Sequence, residues 1–262
     1  MIRKLCVLLV LTAGISVATG FSQTVVDITD FEDMDGWTIG AGDWSVSENR
    51  MYQESTSALM ARVDREVPAD GEYEVRFTIR YEGGGYDSEE DLANEILHGG
   101  FGVHVGMHDP LLGAKSWGVG EGYLLWLNLD TRDRTANNYS IHHGLRAQVY
   151  ESAGPVEMDL LRADWAERVV GNERVSLDVP AAYEQIGGTM EIAELAEELS
   201  EPYTMRLRVN PVSGVVRVDD PTGSGWLAIP LDASKLREGD YVSLRTNSLA
   251  VSFGNFGIYE LD

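Results

Sequence analysis

Residues 73–81 alternate strictly. Tyr73, Val75, Phe77, Ile79 and Tyr81 are apolar or aromatic, and Glu74, Arg76, Thr78 and Arg80 between them are polar. Successive side chains of a strand point to opposite faces, so this pattern predicts a strand with one face on a core and one facing outwards. The same period recurs at Phe101, Val103, Val105 and Met107, at Tyr123, Leu125, Leu127 and Leu129, at Leu145, Ala147 and Val149, and at Tyr203, Met205, Leu207 and Val209. Shorter strands fit residues 44–46, 51–53, 59–63, 215–218, 241–245 and 251–259. Asp70-Gly71, Gly83-Gly84-Gly85, Asn210-Pro211 with Ser213-Gly214, and Glu238-Gly239-Asp240 supply turns between them. About ten strands, short turns and one apolar face per strand predict an all-β, two-sheet antiparallel sandwich.

Two segments break the period. Residues 87–97 read as a polar loop with one helical turn. Thr189 to Ser200 places Ile192, Leu195, Ala196 and Leu199 at helical spacing, with Thr189 as N-cap and Pro202 as the stop, which predicts one short helical insertion. Residues 152–201 then form a long excursion between two core strands, roofing one side of the sandwich. Residues 1–23 read as a secretory signal: Arg3 and Lys4, an apolar run from Leu5 to Val17, then small residues from Ala18 to Ser22. The expectation is a single domain over residues 24–262 in an exported protein, periplasmic or extracellular. No later stretch reaches the roughly 18 apolar residues of a membrane span.

The only cysteine, Cys6, lies within that leader, so the exported chain has no disulfide and relies on its apolar core. The chain carries 43 acidic and 20 basic residues, a formal charge of −23. That balance argues against nucleic acid and anionic lipid as partners.

Asp30-Phe31-Glu32-Asp33, Gly36-Trp37 and Gly42-Asp43-Trp44-Ser45-Val46 resemble the opening of concanavalin A-like (laminin-G-like, jelly-roll) domains of bacterial exported proteins. Gly100-Phe101-Gly102-Val103 and Gly122-Tyr123-Leu124-Leu125-Trp126-Leu127 are similar to the central strands of that superfamily, and residues 251–259 to the strand that returns beside the first. The resemblance implies two packed, curved antiparallel sheets, often with a ligand on the concave face. It also implies that acids near the start and end of the chain share a structural calcium ion, for which Asp27, Asp30, Glu32 and Asp262 are the candidates. The glucanase motif of the superfamily, Glu-x-Asp-x-x-Glu or Glu-x-Asp-x-Glu, is missing. Gln148-Val149-Tyr150 departs from the Gln-x-His strand of its alginate-lyase-like members.

No strand carries two carboxylates at i and i+2 opposite its apolar face, the pattern from which a hydrolase would draw its acid and base. His98, His104, His108, His142 and His143 fall within one stretch, but the glycines around His104 deny the helix that a His-x-x-x-His zinc motif needs. The coherent constellation is a strand face. With the apolar sets inward, the opposite set holds His104, Trp126, Asn128, Arg146, Gln148 and Tyr150, joined by Arg76, Arg80, Arg206 and Arg208, with Trp117 on a Gly-rich rim loop. An open face of this kind suits sugars: aromatic rings stack on C–H surfaces while amides and guanidinium groups bind hydroxyls. The expected function is non-catalytic binding of a glycan or glycoconjugate. The alternatives are a polysaccharide-active hydrolase or lyase, and a structural envelope protein that binds protein partners.

Overall fold

A computed structural model describes residues 23–58, 60–86, 88–94, 98–108, 120–130, 144–154, 158–162, 167–170, 173–176, 202–219 and 226–261. The described residues build two sheets, and every described pairing is antiparallel. The first sheet runs β15 (Trp226–Pro230), β14 (Val215–Asp219), β13 (Tyr203–Asn210), β6 (Tyr73–Gly84), β17 (Leu249–Leu261), β4 (Arg50–Gln53) and β3 (Trp44–Ser47), with β1 (Gln23–Thr29) also on β17. The second runs β12 (Glu173–Ser176), β11 (Glu167–Val170), β10 (Met158–Arg162), β9 (Gly144–Gly154), β8 (Gly120–Asp130), β7 (His98–Met107), β16 (Tyr241–Asn247), β5 (Ala61–Glu66) and β2 (Trp37–Ala41). The all-β antiparallel sandwich read from the alternation is the fold observed. Residues 1–22 of the expected leader, the helix expected at 189–200, Trp117 and Asp262 lie outside the described residues, and Gln23, the last expected leader residue, opens β1.

The inward sets meet as one core. Val75, Phe77, Ile79, Leu207, Val251 and Phe253 from the first sheet pack against Val63, Phe101, Val103, Val105, Leu125 and Leu244 from the second. Trp44 stacks on Phe253 at 6.1 Å, and Phe77 meets Phe253 edge-on at 5.8 Å. The strand over 73–81 extends to Gly84, and the one expected from Phe101 begins at His98. One expectation changes. Residues 152–201 were to form an excursion outside the core strands; instead β10, β11 and β12 continue the second sheet beyond β9. Their short runs hide the period from the sequence.

The one-turn helix in the polar loop is α1 (Glu89–Ala93), capped by the Ser88 hydroxyl, which accepts from Asp91 N at 3.0 Å. A second helix, α2 (Ala233–Glu238), was not foreseen. Its N-cap is Asp232, whose carboxylate accepts from Ser234 N, and whose own amide donates to the Tyr123 hydroxyl at 3.1 Å. Its one buried residue, Leu236, sits over Gly106, where β7 takes a positive φ of 61°. Gly239 then passes so close to Gly106 that a Cβ there would stand 2.0 Å from the Gly106 carbonyl carbon. Among the described residues no helix is long and apolar enough to cross a membrane.

Gln53 is fully buried between the sheets. Its amide donates to Ser55 O, Thr246 Oγ1 and Leu249 O at 2.9, 2.9 and 3.1 Å, and its oxygen accepts from Ser55 N at 2.6 Å. This one side chain ties β4 to β16 and to the start of β17. Gln53→Leu, of similar size, strands those buried partners and is expected to cost at least about 2 kcal/mol, read as a lowered urea midpoint. Ser55→Ala keeps both backbone bonds and should stay within about 0.5 kcal/mol of the parent.

Candidate functional site

The outer face of the second sheet is built in rows. One row runs Asp64–Ser243–His104–Leu124–Tyr150 across β5, β16, β7, β8 and β9. The next runs Arg62–Arg245–Gly102–Trp126–Gln148, and Asn247–Gly100–Asn128–Arg146 follows. The backbone register therefore brings the positions expected of a ligand face, His104, Trp126, Asn128, Arg146, Gln148 and Tyr150, onto three adjacent strands. The four arginines expected to join them do not. Arg76, Arg80, Arg206 and Arg208 lie on β6 and β13, in the other sheet. Strand parity in the sequence gives a face relative to the core but not the sheet.

This face is not open, as alternation alone implied. His104 is 0% and Trp126 1% exposed, while Tyr150 is half-buried. Trp126, Leu124 and Met60 form a second apolar cluster, with Tyr150 packed against it. The indole lies over Gly102, where a Cβ would stand 2.8 Å from its Cε3 atom. Glycine at that position is what lets the ring lie against β7.

Beside the ring sits a buried polar group whose members on β5 and β16 the sequence reading missed: Arg62, Asp64, Ser243 and Arg245. The signal was present, since these residues alternate with Val63, Val242 and Leu244. Arg62 Nε meets Asp64 Oδ2 at 3.1 Å, and Gly40 leaves room for its guanidinium. The Ser243 hydroxyl donates to Asp64 Oδ1 at 2.5 Å and lies 2.9 Å from Met107 Sδ. Arg245 Nη1 is 2.9 Å from His104 Nδ1. A guanidinium can only donate, so Nδ1 is the acceptor and the imidazole proton sits on Nε2. Burial holds His104 well below its ordinary pKa, and the charges of Arg245 and Arg62 lower it further. Burial also pushes the Asp64 carboxyl up, against the pull of Arg62 and Ser243.

Asp64, Ser243 and His104 share a row without forming a nucleophilic relay. The serine proton goes to the aspartate, and the imidazole lone pair is taken by arginine. What remains is a neutral His104 whose Nε2–H is buried with no hydrogen-bond acceptor among the described residues. A donor of this kind stays unsatisfied until an oxygen reaches it.

The other expected sites are dispersed. β7 ends at Met107, so His108 lies beyond the strand and exposed, apart from His104. Of the calcium candidates, Asp27 is engaged by Arg65, whose Nε and Nη2 both donate to its carboxylate, while Asp30 and Glu32 are exposed. Among the described residues no group of three His, Cys, Asp or Glu side chains converges to hold a metal ion.

Among solved structures, a protein of unknown function with a galectin-like fold from Bacillus subtilis matches over 92% of this chain and 99% of its own, at a TM-score of 0.50 and 10% identity. The fold is a concanavalin A-like sandwich. A variant of the Emp46p carbohydrate recognition domain matches over 90% of this chain and 93% of its own, with a TM-score of 0.48 and 11% identity. A legume lectin-like domain from Entamoeba histolytica covers 87% and 91%, with a TM-score of 0.47 and 12% identity. At such identities the likeness is one of fold. No protein-family model matches the chain, and no curated protein matches it in sequence.

The buried imidazole gives a pH prediction. His104 is neutral when folded and titrates near about 6.5 when unfolded. Its contribution to stability is therefore complete above that value and is lost as pH falls below it, at up to about 1.4 kcal/mol per pH unit. His104→Gln, which still accepts from Arg245, should lose less stability than the parent between about pH 7 and about pH 5. Urea midpoints at the two pH values measure this, and equal losses would mean that folding leaves the proton affinity of His104 unchanged.

Proposed function

We propose that this chain is an exported, non-catalytic glycan-binding protein that uses the outer face of its second sheet. The observation that carries the reading is the pair of adjacent rows that set Tyr150 and Trp126 beside His104 and Arg245. Because Trp126 is buried, it serves as the floor. Tyr150, the half-buried member, is the ring a sugar packs on. His104 and Arg245 are fully buried and bonded to one another, so they brace this floor from below. The sandwich fold supports the reading, and so does the leader-like sequence over residues 1–23.

A second reading, hydrolysis or elimination on a polysaccharide, draws on the raised pKa of Asp64, since perturbed carboxyls gather at catalytic sites. The bonds made by Ser243 and His104 disfavour it, because both groups are committed to other partners.

The test is a glycan array with the leader-free protein, with and without EDTA, followed by product analysis on every hit. Binding without turnover is expected, and Tyr150→Ala should weaken the best hit about tenfold, or about 1.4 kcal/mol. Turnover would transfer the function to the second reading. Affinity unchanged in a folded Tyr150→Ala protein would remove this face from the site.

A further inference from the structure

One side of the sandwich presents an unpaired strand edge. β1 pairs with β17 along one edge, and among the described residues its other edge has no partner. β2, the last strand of the second sheet, borders the same side. Asp27 of β1 is held by Arg65 of β5, and Arg65 stands opposite Trp37 of β2. An open edge offers backbone donors and acceptors to another strand, and proteins ordinarily blunt it with charge, proline or a bulge. Residues 23–29 contain no proline and a single charge, Asp27, which Arg65 compensates.

The edge also shows apolar side chains to solvent. Val25 is 54% and Ile28 56% exposed, and Ile39 on β2 is 46% exposed. In a regular strand, residues three apart point to opposite faces. Here the register shifts between Val25 and Asp27, so Val25 stands opposite Tyr259 and Ile28 opposite Gly257, two positions apart on β17. Val25 and Ile28 therefore share the outer face of the first sheet, beside the half-buried Tyr259 ring that lies over Gly257. The bulge gathers the two exposed residues instead of blunting the edge.

We propose that β1 pairs edge to edge with β1 of a second copy of this chain, antiparallel and about a two-fold axis. The residues select the register. With the axis between Val26 and Asp27, Val25 stands opposite the partner's Ile28, Ile28 opposite the partner's Val25, and Thr24 opposite the partner's Thr29. Residues directly opposite one another in an antiparallel pair share a face and touch. One isologous contact thus covers all four exposed apolar side chains at once. A second copy matches their spacing by symmetry, which an unrelated strand does not. No like charges meet, because Asp27 stands opposite the partner's Val26 and its carboxylate is held by Arg65. Seven residues of edge make a small interface, which places this dimer among the weak, concentration-dependent ones. The contact uses neither Tyr150 nor Trp126, so it stands independently of the function proposed above.

The leader-free protein beginning at Gln23 is followed by sedimentation across a dilution series at low and high NaCl. A reversible monomer–dimer equilibrium is expected, and it should tighten as salt rises, because two strongly acidic copies repel. Val25→Asp and Ile28→Lys, made separately, should each weaken the dimer at least about tenfold. Both side chains are exposed, so the Tm of the dilute protein should not change. An equimolar mixture of the two variants should recover a dimer, since the register sets the new acid opposite the new base. Leu92→Asp, at an equally exposed position on α1, should leave the equilibrium as it is. A mixture no tighter than either variant alone would overturn the register, and with it the proposal. So would a dimer unaffected by either substitution, which would lie on another surface. A monomer at every concentration up to about 100 μM would also overturn it, leaving the edge to a strand from a different protein.

Discussion

The hydrogen-bond ladder along Leu249–Leu261 holds the rest of the sandwich in place. On one side it pairs with β6 from Leu249 opposite Gly84 to Glu260 opposite Tyr73. On the other side it carries β4 over residues 251–254 and β1 over residues 256–261. One strand edge serves two strands because the ladder breaks between Gly254 and Gly257, where Asn255 takes a positive φ of 49°. That break also shifts the alternation, so Phe253 and Phe256 both reach the core. Phe256 then meets Trp37 edge-on at 4.8 Å, which brings β2 of the opposite sheet into the same packing.

The two outer faces handle charge differently. In the second sheet Arg62, Asp64, Ser243, His104 and Arg245 are all sunk below solvent. The cost of that burial is offset where an acid meets a cation and where a neutral imidazole accepts from one. In the first sheet Glu74 is the one fully buried ionisable acid or base among the described residues, and the arginines around it reach the surface. The excess negative charge of the whole chain says nothing about either arrangement, since both are set by which strands lie side by side.

That distinction separates what the sequence discloses from what it does not. Period-two runs at 73–81, 101–107, 123–129 and 203–209 name strands and their inward residues, because those positions feel mainly the core. Pairing depends on contacts far apart in sequence, so Arg206 and Trp126 looked alike although they sit on different sheets. The rows that flank His104 come from residues 62–64 and 243–245, and no local pattern links them. Helix α2 was missed because six residues give too little periodicity, although Asp232 and Gly239 mark its ends as N-cap and stop. The burial of Trp126 was equally illegible, since alternation sorts faces without saying what covers them.

The partnership of β1 with β17 has a consequence for the order of assembly. Residues 23–29 find their only described ladder partner more than two hundred positions later. β6 likewise waits for β13 and β17 on its two sides. Contacts of such long range make folding slow, because loop-closure entropy is spent before pairing repays it. The first sheet therefore cannot close until residues 249–261 have been synthesised, and a chain held unfolded up to that moment forfeits little structure.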